Sequence, residues 1–144
     1  MHKGFYASGF LYHPSSEQIL LQQITTADKD STWSLFEGKT ADDTSGEEMF
    51  RDIISRALNI KLKLRGIFCV YKYTCKQEIN HRIYYAELGK LRKFASFNNR
   101  EFSWFSPKQI HKLNLSDQTR HDIVVGFRVI ESSIRRSLGL RTIG

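Results

Sequence analysis

Residues 36–60, FEGKTADDTSGEEMFRDIISRALNI, combine a glycine-lysine turn, an acidic polar loop and an amphipathic run that ends at Asn59. That layout suits a loop–helix–loop built to hold phosphate and metal. Gly38 and Lys39 stand at its entrance, where Lys39 offers a cation to a phosphate. Glu48 and Asp52 lie four apart, so on a helix they share one face and can form a weak metal pair. Their structural alternatives are complementation of the helix dipole by Glu48 and an ion pair of Asp52 with Arg56. Arg56 has two readings as well: partner of Asp52, or bidentate donor to a phosphate.

The elements that would position these groups follow from periodicity. GFYASGFLYH and QILLQQIT read as two strands of a hairpin, with HPSSEQ as the turn. TWSLF is a short strand that delivers the chain to Gly38. Ser45 followed by Glu48 is a capping-box pattern, and Thr44 with Glu47 offers a second frame. Met49, Phe50, Ile53, Ile54, Ala57 and Leu58 recur at helical spacing as a buried stripe. Asn59 can take the left-handed conformation that ends helices. IKLKLRGIF alternates apolar and basic residues and predicts a strand with one wet face, continued by GIFCVYKYTC and paired with HRIYYAEL. GKLRKFASFNNR reads as a basic loop, and EFSWFSPKQIHKL holds a short aromatic strand and a Pro-led turn of helix. A long helix starts at Ser116, carries Ile123, Phe127, Ile130 and Ile134, and can stop at Gly139.

The chain has 144 residues, 40% hydrophobic and 12% aromatic, which suits one domain spanning 1–144 around one core. No apolar run approaches a membrane span and no secretory signal is read, so the expectation is a soluble cytoplasmic protein. Cys69 and Cys75 are read as buried free thiols, too far apart on one strand to bridge. His81, His111 and His121 lack the spacing of metal ligands and are read as surface or core polar residues. The net charge of +7 favours anionic partners such as nucleotides or RNA. Trp33, Trp104, Phe102 and Phe105 can stack on a base or fill the core.

This order, with a Trp-led strand running into Gly-Lys and a helix, resembles the Nudix hydrolase family over most of the chain. GFLYHPSSEQILLQQ is similar to the family's opening hairpin, WSLFEGKT to its strand into the Nudix loop, and FSWFSPKQIHKL to its late aromatic strand and short helix. The family's box is Gly, five residues, Glu, seven residues, Arg-Glu, an apolar residue, any residue, Glu-Glu, any residue, Gly and a final apolar residue. With Gly38 as the first Gly, the box closes at Ile60 without a gap. Its apolar positions fall on Ile54 and Ile60, and its second Gly on Asn59. Its carboxylates fall on Thr44, Ile53, Arg56 and Ala57. A register shifted by one matches Arg51-Asp52 to Arg-Glu but leaves Ser55-Arg56 at the Glu-Glu pair. The first register keeps the buried stripe intact and is preferred.

In the family that pair binds magnesium, which needs oxygen ligands. The resemblance therefore implies a Nudix-like α/β/α sandwich with a central mixed sheet. It also implies a degenerate box with weak or lost hydrolase activity, and a nucleotide- or phosphate-binding or interaction role for Gly38, Lys39 and Arg56. No cofactor is expected. The alternative is a divergent hydrolase of a nucleoside diphosphate-linked substrate, with magnesium on relocated carboxylates (Glu47, Glu48, Asp52, Glu101). Glu101 is read as lying in the loop before FSWF, where some family members carry a catalytic base; otherwise it is a strand-edge charge.

Overall fold

The structure is a computed structural model that describes residues 5–24, 32–40, 45–74, 80–96 and 99–137. Thr44, Cys75 and the stop at Gly139 lie outside the described residues. The first hairpin forms as its pattern predicts: β1 (Phe5–His13) pairs antiparallel with β2 (Gln18–Ile24), Leu11 opposite Leu20. The chain then runs through β3 (Trp33–Ser34), which pairs with β2, into β4 (Phe36–Thr40), which pairs antiparallel with β1. β5 (Ile67–Thr74) and β6 (Asn80–Glu87) form a second hairpin. β6 lies parallel to β1, with Phe5 opposite Asn80 and Tyr12 opposite Glu87. β7 (Arg100–Phe105) pairs antiparallel with β2, and the described residues form a seven-stranded mixed sheet.

Alternation along β1 sends Phe5, Ala7 and Leu11 to one face and Phe10 and Tyr12 to the other. Helix α1 (Gly46–Leu58) covers the first face with Phe50, Ile54, Ala57 and Leu58. After the short α2 (Pro107–Ile110), helix α3 (Asp117–Ser137) covers the second with Ile123 and Ile130. This is the α/β/α sandwich with a central mixed sheet. Phe50 explains how closely α1 can settle. A Cβ added at Gly9 would stand 2.6 Å from its ring and 2.2 Å from the Tyr84 carbonyl oxygen, so β1 must carry glycine there.

Two expectations are corrected. Residues 60–63 do not join a ladder; a single 3-10 turn at Leu64–Gly66 follows them, and the strand begins only at Ile67. The alternation is nevertheless genuine: Ile60 and Leu62 pack on the α1-side core while Lys61 and Lys63 are exposed. The pattern reported facing, and facing does not require a hydrogen-bonded neighbour. Cys69 is exposed, not buried, because a register shift between Cys69 and Tyr71 kinks this edge strand.

Tyr84 is almost fully buried and its hydroxyl is pushed up to about 12, chiefly by burial and further by the charge of Glu47, against a lowering contact from Arg82. A raised folded value means the stabilisation is complete below the ordinary tyrosine range. It is lost as pH rises through the folded value. Urea midpoints should therefore hold steady up to about pH 10 and fall between there and pH 12, and Tyr84→Phe should blunt that fall.

Candidate functional site

The box segment folds locally as its residues dictate. Ser45 caps α1, its Oγ accepting the Glu48 backbone N–H at 3.1 Å. Glu47 and Glu48 sit in the first turn, where the helix dipole favours acids. Asn59 ends the helix at φ 56°, ψ 40°, its N–H on the Ser55 carbonyl.

The positions of the proposed site residues require several corrections. Gly38 and Lys39 are not a turn: they lie within β4, opposite Ala7 and Tyr6. A Cβ at Gly38 would meet the Ile53 side chain at 2.9 Å, so Gly38 is a seat for α1. Ile53 is half-buried and packs against the α1-side core. Lys39 points to the opposite face, with its Nζ 5.6 Å from the centre of the Tyr6 ring. Arg56 is exposed near the end of α1, so Lys39 and Arg56 are on opposite sides of the sheet and cannot clamp one phosphate. Asp52 pairs with Arg51 at 3.7 Å, not with Arg56. Ala57 is buried.

Glu101 is exposed within β7, not in a loop. Phe102 and Trp104 face α1, which sends Glu101 to the other side, away from Glu48 and Asp52 on α1. Among the described residues no three His, Cys, Asp or Glu side chains group as a metal site. The side chains of Ile53, Arg56 and Ala57 carry no oxygen, the ligand atom that magnesium takes.

On the α3 side, a cavity of about 310 Å³ opens between the sheet and the start of α3. Trp33, Tyr73, His81, Gln118, Asp122 and Glu37 are among its walls. Asp122 is 4% exposed. The Tyr71 hydroxyl and the Gln118 amide both donate to its Oδ1. Burial, then the hydrogen bond and charge of Asp122, hold the Tyr71 hydroxyl well above the tyrosine range. His81 lies between two rings, 5.1 Å from Tyr6 and 4.7 Å from Tyr73, while His121 meets the edge of Tyr71. This stack runs from the Lys39 ammonium toward Asp122. Of the aromatic candidates, Trp33 packs edge-on to Phe105 at 4.8 Å and Phe102 stacks on Phe36 at 5.8 Å.

Sequence reasoning missed Asp122. Its signal was a carboxylate directly beside Ile123 on the apolar stripe of α3, one helical turn after Gln118.

No family model matches the chain, and no curated protein matches it. Solved structures do share its fold. A MutT/nudix family protein from Enterococcus faecalis superimposes with a TM-score of 0.69 at 14% identity, over 91% of this chain. The chain spans 63% of the length of that protein. A mutT/nudix family protein from Listeria innocua gives 0.63 at 14% identity, over 98% of this chain and 99% of that one. The NUDIX domain of NrtR from Shewanella oneidensis, solved with ADP ribose, gives 0.65 at 15% identity, over 88% and 86%. The chain has the Nudix fold.

Proposed function

We propose that the chain binds a nucleotide or another phosphorylated small molecule, and that its magnesium-dependent hydrolase activity is weak or lost. The observation that carries this reading is the cavity at Asp122. Its described walls hold two carboxylates, Glu37 and Asp122, and neither Lys nor Arg. Such walls repel a phosphate and accept the N–H edge of a base, with aromatic rings alongside. The phosphate then lies outside, where Lys39 ends the ring stack. The ADP ribose bound by the NrtR domain is a ligand of this chemical kind. The box positions supply no carboxylate pair to hold magnesium, which supports the second half of the reading.

Calorimetric titration with purine and pyrimidine nucleotides, in EDTA and in magnesium, tests it. Binding should be independent of magnesium. Asp122→Asn should weaken it by about 1.5–3 kcal/mol, the worth of a hydrogen bond to a charged group. Turnover of nucleoside diphosphate derivatives should match a buffer blank. Equal affinity in wild type and Asp122→Asn would remove the base from this cavity. Turnover lost with EDTA and with Glu48→Gln would establish the relocated-carboxylate hydrolase instead.

A further inference from the structure

The topology gathers charge at one end of the sheet. Ile67 pairs with Ala86, so the segment that follows α1 and the segment that follows β6 meet there. Ile60 and Leu62 from the first segment and Leu88 and Phe94 from the second all pack against the α1-side core. Residues 55–66 carry Arg56, Lys61, Lys63 and Arg65, and residues 88–96 carry Lys90, Arg92 and Lys93; neither stretch contains an acid. All seven cations are exposed, and none enters an ion pair among the described residues.

Two cavities open at this pole and share Phe94. One, of about 470 Å³, runs along Arg56, Ala57 and Asn59. The other, of about 410 Å³, lies between Arg92 and Lys93 on one side and Phe102 and Trp104 on the other. The Trp104 indole N–H donates to the Arg92 carbonyl at 2.8 Å, tying the basic segment to β7. The Arg92 guanidinium stands 5.3 Å over the Phe94 ring.

We propose that this pole is a binding surface for a single-stranded nucleic acid. Recessed aromatic rings flanked by cations are what successive bases and phosphates require. A duplex hides its base faces from such rings, and a lipid headgroup has no planar ring to place between them. Arg56, left without a metal to replace, then contacts a backbone phosphate. The surface lies on the α1 side and is separate from the Asp122 cavity.

Fluorescence anisotropy with labelled oligouridine and oligothymidine tests the proposal, with melting curves to confirm that each variant is folded. Binding should weaken with salt at a log–log slope of about −2, three phosphate contacts at roughly −0.7 each. Arg92→Glu with Lys93→Glu, and Phe94→Ala separately, should each cost about tenfold or more in affinity. Arg135→Glu with Arg136→Glu, in the last turn of α3 on the other face of the sheet, should change it little. Binding of either strand with this pattern supports the surface. Equal losses in the α3 variant, tighter binding of a duplex, or binding of anionic vesicles without oligonucleotides would each overturn it.

Discussion

Phe50→Ala is expected to lower the stability of the fold by about 3–5 kcal/mol. Phe50 is fully buried and holds α1 against the sheet, its ring 6.1 Å from that of Tyr84. The loss should sit at the top of the range for its chemistry because the site cannot collapse. Beneath the ring is Gly9, which has no side chain to move inward, and the β1 and β6 backbones on either side are locked in a parallel ladder from Phe5 to Tyr12. Urea unfolding measures it directly. A loss below about 1 kcal/mol would mean that α1 is anchored elsewhere, and the contact of Ile53 with Gly38 would be the place to look.

The helix and its caps were legible because their signals are local. Ser45, the apolar stripe and Asn59 each act within a turn or two of chain; the structure places both caps as read and buries Phe50, Ile54, Ala57 and Leu58 of the stripe, with Met49 and Ile53 half-buried. The strands of the two hairpins were legible for the same reason. The joint site of Lys39 and Arg56 was not. Sequence spacing places both near Gly38 but does not say which face of β4 each addresses, and alternation puts Gly38 and Lys39 on opposite sides. The Asp122 cavity needs β4, β5, β6 and α3 at once, so no window of sequence contains it. The basic residues of 61–65 and 90–93 were visible as two clusters, but only the pairing of Ile67 with Ala86 merges them into one surface.

Restoring the family's carboxylates should unfold this chain before it restores chemistry. Ala57→Glu with Ile53→Glu places acids at two of the box positions in the preferred register. Ala57 is 8% exposed within the α1-side core, and Ile53 rests on the space above Gly38. An unpaired carboxylate brought into such packing is costly, and two on one helix face add repulsion. Arg56, three residues after Ile53 on the helix, can offset part of that cost. The expected net loss is about 3 kcal/mol or more at neutral pH.

The sign of its pH dependence identifies the cause. A buried glutamate has its folded pKa raised, so the variant should recover stability relative to wild type as pH falls toward about 4 and the acids become neutral. Overpacking alone would show no such recovery. Melting curves at neutral and acidic pH, with and without magnesium, separate the possibilities. If magnesium instead raised the melting temperature of the variant, the metal would be binding its folded state. The box would then be a site that has lost only its ligands, and Ile53 and Ala57 would not be the core residues their packing makes them here.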